Sequence, residues 1–248
     1  MIFYLICGIV VLVFSTILAM AGMGAAFIFI PIFYWLGLPL NVAIPTGLFL
    51  NGLSLSAASF KNIVHKRVQY DLAVPIAIAS FMIAPLGAYS SKYIDRHILM
   101  SLFAMFLLFS GCMILFYTPK ASKKIFSKSK QIKYGVVIGS FVGFISGLLG
   151  VGGGSLISPI LLYLGNKPKK IAIITAFVVP LSSFSGFITY LAMGDINFYL
   201  LLITGSASIV GGLLGNWFMN EKLHPSQVKK IIGVIILVIA IKIIYGLL

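Results

Sequence analysis

Acidic residues are almost missing from this 248-residue chain: Asp71, Asp95, Asp195 and Glu221 are all it has. Each falls at the end of an apolar run. A carboxylate relay for protons or sodium at mid-membrane depth is therefore not expected. Cysteine is limited to Cys7 and Cys112, both inside apolar runs and without CxxC spacing. That pattern reads as small core residues, with a single bridge between them left open. His65, His97 and His224 sit in loops with no ligand spacing, so neither a metal nor a cofactor is expected. Serines are plentiful, but no His, Asp or Glu is placed to activate one, which argues against an enzyme. No positively charged stretch precedes the first apolar run, so it reads as a membrane segment and not as a signal peptide.

Charge of either sign is scarce. Only 9% of residues are charged, against about a quarter in a soluble domain. Hydrophobic residues make up 60% of the chain and the mean hydropathy is +1.13. This is the composition of an integral membrane protein. Apolar residues run continuously without strand-like alternation, which points to helices. Ten segments are read at roughly 3–21, 24–37, 41–60, 72–91, 97–117, 134–149, 152–165, 171–192, 196–218 and 231–248. Most approach the ~20 residues needed to cross ~30 Å of hydrocarbon. The second and seventh are too short. Each follows a glycine motif and reads as a half-depth or broken helix.

Those motifs are two copies of one pattern. Gly22 and Gly24, then Pro31, Leu36 and Gly37, recur as Gly150 and Gly152, Pro159, Leu164 and Gly165, at an offset of 128 residues. Five segments per half is an odd number, so the halves are expected in opposite orientation: an all-α fold of two inverted repeats. The expected organisation is residues 1–118 as first repeat, 119–133 as a basic linker and 134–248 as second repeat.

The basic residues give the expected sidedness. Lys120, Lys123, Lys124, Lys128, Lys130 and Lys133 mark the linker as cytoplasmic. The ten-segment reading puts Lys61, Lys66, Arg67, Lys167, Lys169, Lys170, Lys222, Lys229 and Lys230 on the same side, and only Lys92 and Arg96 outside. Both termini then fall on the external face of a plasma membrane. Topology and lipid headgroups account for the net charge of +14 without a nucleic-acid partner. Lys242, inside the last segment, reads as a snorkelling residue.

Glycine breaks at membrane depth expose backbone N–H groups that must face protein or an aqueous cavity. At the start of a helix those groups, and the positive end of the dipole, suit an anion. Gly22, Gly24, Gly150, Gly152, Gly153 and Gly154 are candidate backbone donors, with the Ser155 hydroxyl beside them. The alternative is close helix packing, which small residues also permit. The third segment of each half adds Thr46, Asn51, Thr175, Ser182 and Ser183, neutral groups suited to an anion's oxygens. Pro31, Pro159 and Pro180 are expected to shape helix bends.

The stretch Gly147-Leu-Leu-Gly150-Val-Gly152-Gly-Gly154-Ser-Leu-Ile-Ser-Pro159, with Gly22-Met-Gly24 and Pro31, resembles the paired motifs of the sulfite exporter TauE/SafE family of membrane permeases. The likeness extends over essentially the whole chain. Ala25 and Ala26 stand where the second copy has glycines. The resemblance implies export of small sulfur-containing or organic anions, such as sulfite or sulfonates, by a secondary transporter with alternating access. A passive anion channel and a non-transporting assembly subunit are the other readings. The oligomeric state is not legible.

Overall fold

Ten apolar runs become ten α-helices in a computed structural model that describes residues 2–20, 24–116, 128–193, 197–221 and 225–246. In the first half these are α1 (Ile2–Met20), α2 (Ala26–Trp35), α3 (Leu40–Val64), α4 (Tyr70–Ser90) and α5 (Arg96–Phe116). In the second they are α6 (Lys128–Leu149), α7 (Gly154–Tyr163), α8 (Pro168–Leu191), α9 (Phe198–Glu221) and α10 (Pro225–Tyr245). No strand occurs among the described residues, and six helices are long and apolar enough to cross a membrane. This is an all-α multi-pass membrane protein. The expected segment starting at 134 begins earlier, at Lys128. No glycine or proline separates Lys128 from Tyr134, and lysine stems can lie along a helix end with the charge in water. Lys120, Lys123 and Lys124 lie outside the described residues.

The halves are interleaved. α1 packs on α9, and its counterpart α6 packs on α4; α3 packs on α8, and α5 on α10. The crossed pairs α4 with α8 and α3 with α9 complete the set. Exchanging the first five helices for the last five maps these partnerships onto themselves. Residue pairings give the directions. Gly135 faces Pro75, Gly139 faces Ile76, Gly143 faces Ser80 and Gly147 faces Ala84, so α4 and α6 run the same way. On α3 and α8, Leu48 meets Gly186 while Asn51 meets Ser183, so these two run oppositely. Ser208 on Leu50 and Gly212 on Ser54 set α9 parallel to α3.

These directions gather the basic ends. The Gln69 side-chain amide donates to the Gln131 side-chain oxygen Oε1 at 3.1 Å, joining the starts of α4 and α6. The end of α3 with Lys66 and Arg67, the start of α6 with Lys130 and Lys133, and the start of α8 with Lys169 and Lys170 share one face. Lys92 falls at the other face. Lys242 lies in the last turn of α10, exposed, with Nζ 4.0 Å from the centre of the Trp35 ring. That contact is a cation–π pair on an end turn, close to the snorkelling expected of it. Cys7 is buried and Cys112 exposed; both are free thiols.

Buried hydroxyls repair backbone broken by proline. A proline cannot donate to the carbonyl four residues before it. Pro159 releases the Ser155 carbonyl, which accepts from the Ser110 hydroxyl of α5 at 3.0 Å. Pro85 releases the Phe81 carbonyl, which accepts from Ser185 of α8 at 2.7 Å. Ser110→Ala should cost about 1–3 kcal/mol, the penalty for an orphaned buried acceptor. Pro159→Ala in the same chain should recover most of it, because an alanine N–H reaches the freed carbonyl. Melting of the purified single and double variants checks this; equal melting of Ser110→Ala and wild type would refute it.

Candidate functional site

α2 and α7 are each ten residues, and at ~1.5 Å per residue each covers only ~15 Å, half the hydrocarbon. Both begin at a glycine turn halfway along the long helices. α2 starts beside Asn51, near the middle of α3, and ends at the loop that leads into the start of α3. α7 starts at the same level, beside Asn51 and Ser183, and ends at the loop into α8. Because α3 and α8 run oppositely, the two half-helices come from opposite faces and meet N-terminus to N-terminus. Each contributes a partial positive end of about half an elementary charge. Pro31 and Pro159 occupy the same position in their helices, and Pro180 lies inside α8.

Asn51 is the centre of the meeting point. Its Oδ1 accepts the Ala25 N–H at 2.8 Å, capping α2. Its Nδ2 donates to the Ser183 hydroxyl of α8 at 2.9 Å, joining the halves. The amide is wedged between the glycine motifs. A β-carbon on Gly24 would stand 1.8 Å from Asn51 Oδ1, and one on Gly152 would stand 2.0 Å from Asn51 Nδ2. Both glycines are also in the left-handed region, at φ +73° and +78°, so two independent reasons demand glycine. Asn51 and Ser183 are completely buried.

The second motif keeps free donors. The Gly154 N–H turns back to the Gly152 carbonyl at 3.0 Å, and Val151 N–H caps the end of α6 through the Ser146 carbonyl at 3.1 Å. The Gly152 and Gly153 amides make no hydrogen bond among the described residues. Two hydroxyls stand nearby without partners: Ser155, on the first turn of α7, and Ser146 of α6, both completely buried. The oxygens of Ser146 and Ser182 each lie 3.6 Å from the place where a Gly153 β-carbon would point. Among the described residues the buried polar side chains are Ser, Thr, Asn and Tyr190, so the interior carries no ionic charge.

The structure sorts the expected residues. It brings Gly24, Asn51, Gly152, Gly153, Ser182 and Ser183 together, with Ser155 on the adjoining turn. Gly22 lies outside the described residues. Gly150 packs on Ile44 and Ile30, which is the packing alternative at that position. Thr46 and Thr175 donate to carbonyls of their own helices, Val42 at 2.7 Å and Ile171 at 2.8 Å, and hydrogen-bond to no other site residue. The Ser182 hydroxyl likewise donates to Val179, leaving its lone pairs. Ser146 was not among the expected residues. Its one signal was its place in the turn before Gly147 and Gly150.

Comparison with known proteins follows the same lines. The profile of the family described as "Sulfite exporter TauE/SafE" matches residues 7–243. "Probable membrane transporter protein YunE" of Bacillus subtilis is 27% identical over 98% of this chain and 97% of its own length. A "Probable membrane transporter protein" of Methanocaldococcus jannaschii is 28% identical over 84% of this chain and 83% of its own. "Sulfite exporter TauE/SafE family protein 5" of Arabidopsis thaliana is 35% identical, over 36% of this chain and 19% of its own. No solved structure matches.

Proposed function

We propose, from the premise that this chain belongs to the sulfite exporter TauE/SafE family, that it is a secondary transporter moving small sulfur-containing or organic anions, such as sulfite or sulfonates, out across the plasma membrane. The observation that carries this reading is the convergence of two positive half-helix ends on a neutral, buried centre halfway through the bundle. Half-helix N-termini aimed at a mid-membrane site are a recurring device for anionic substrates in carriers. The exchange symmetry of the helix partnerships and the opposed directions of α3 and α8 support two inverted repeats. Alternating access by one half rocking against the other is the mechanism suited to that arrangement.

The lining in this reading is Asn51, Ser182, Ser183 and Ser155 with the amides of Gly152 and Gly153, and Gly24 holds the other approach. Complete burial of Asn51 and Ser183 favours an occluded carrier over an open anion channel. Relatives described as probable membrane transporters favour a carrier over an enzyme. The shared basic face is assigned to the cytoplasm, which puts the start of α1 and the end of α10 outside.

Counterflow in proteoliposomes tests the reading. Preloaded unlabelled sulfite should drive accumulation of labelled sulfite, with saturation, and methanesulfonate should compete. Equilibration without countertransport would identify a channel. No flux of any small anion would remove the transport reading altogether.

A further inference from the structure

The charge the site can hold is set by features that extend beyond its location. Two half-helix N-termini supply together about one positive elementary charge. No lysine, arginine or histidine is buried among the described residues to add another. The side-chain donors are neutral hydroxyls, and two of them, on Ser146 and Ser155, are completely buried with no partner at all. An orphaned buried hydroxyl is costly, so its retention at a helix N-terminus with free amides points to a ligand that satisfies it.

Resting on the transport reading above, the geometry points to a single oxyanion cup at the start of α7, built from the amides of Gly152 and Gly153 and the hydroxyls of Ser146 and Ser155, that accepts one singly charged headgroup and rejects dianions. The first half does not form an equivalent cup. There the Ala25 N–H is already taken by Asn51, and the position matching Asn51 in the second half is Pro180, which has no amide side chain. The glycine equivalent to Ala25 is Gly153, whose φ of +77° and free N–H have no counterpart at Ala25, where φ is −116°.

Charge balance gives the selectivity. A monoanion such as a sulfonate, hydrogensulfite or a carboxylate is matched by the two dipole ends. A second negative charge would enter a low-dielectric interior with nothing to offset it, and burial of an uncompensated charge is prohibitive. Sulfite itself changes between monoanion and dianion close to neutrality, so its recognition should follow the monoanion.

The test uses the full chain, purified in detergent for ligand-induced thermal stabilisation and in proteoliposomes for competition against labelled sulfite. Methanesulfonate, acetate and sulfate are the probes. Methanesulfonate should bind at least about tenfold more tightly than sulfate, an isolated second charge being far costlier than that ratio requires. Read by thermal stabilisation, sulfite should bind more tightly as pH falls, while methanesulfonate stays level. Ser146→Ala should weaken methanesulfonate about three- to tenfold, the worth of one buried donor, without lowering the unliganded melting temperature. Sulfate binding as tightly as methanesulfonate overturns the inference, as does a Ser146→Ala variant of unchanged affinity. If sulfite is countertransported in either case, the transport reading survives without the cup. Binding of none of the probes overturns the cup, and absence of sulfite countertransport as well overturns both.

Discussion

Gly152→Ala is expected to abolish transport. The new β-carbon would stand 2.0 Å from Asn51 Nδ2 and 3.0 Å from the Ser183 oxygen, inside the hydrogen bond that joins α3 to α8. At φ +78° the alanine also carries left-handed strain of roughly 1–2 kcal/mol. The Asn51 amide must leave, which breaks its bond to Ser183 and uncaps Ala25. Displacement of a positioning group by an ångström can cost about a hundredfold in rate, and this displacement is larger. Initial counterflow rates, normalised to reconstituted protein, measure the loss. The double variant Gly152→Ala, Asn51→Ala separates clash from function. Removing the amide removes the collision, so melting should recover relative to Gly152→Ala alone, a non-additive pair. Transport should not recover, because the carboxamide proposed to line the site is gone. A Gly152→Ala protein that transports at the wild-type rate would refute the assignment of this turn to the site.

Gly147→Ala is expected to have the largest effect on stability. A β-carbon there would lie 2.0 Å from the Ala84 carbonyl oxygen and 2.9 Å from both the Ala84 carbonyl carbon and the Ala88 nitrogen. All three are backbone atoms of α4, so no side chain can rotate away. The same helix pair meets at Gly135, Gly139 and Gly143, four residues apart along one ridge, so the axes cannot separate at one point alone. The clash also reaches the end of α6, where the Tyr190 hydroxyl lies 3.0 Å from the Gly147 carbonyl. Overpacking of a close interface costs about 1–3 kcal/mol and more where backbone opposes it. A loss beyond 3 kcal/mol is expected here, read as a fall in detergent melting temperature and in the yield of folded protein. Gly37→Ala is the control. It has φ +92° but nothing within 4 Å of its β-carbon, so it should lose only the strain. Equal melting of the two variants would show that the α4–α6 contact is not the close seam described.

Composition and spacing by themselves determined the class and the frame of this protein. A chain with 9% charged residues has no soluble fold available, and its ten apolar runs stand where ten helices form. The two short helices were legible because glycine and proline interrupt apolar stretches at a fixed offset, a local signal. The shared basic face was legible because lysine resists burial wherever it occurs. Tertiary structure alone decided what meets at the centre. Asn51 reaches Ala25 across 26 residues and Ser183 across 132, and no periodicity within one helix records such partners. Internal duplication could not reveal it either, since the second copy carries Pro180 at the matching place. Thr46 and Thr175 match between the copies, yet each hydroxyl turns to its own backbone, because a threonine in an apolar helix always has a carbonyl in reach. Ser146 and Ser110 look alike in sequence, single serines in apolar helices. Only the packing of α5, α6 and α7 gives one a carbonyl freed by proline and leaves the other without a partner, its oxygen 3.6 Å from the place where a Gly153 β-carbon would point.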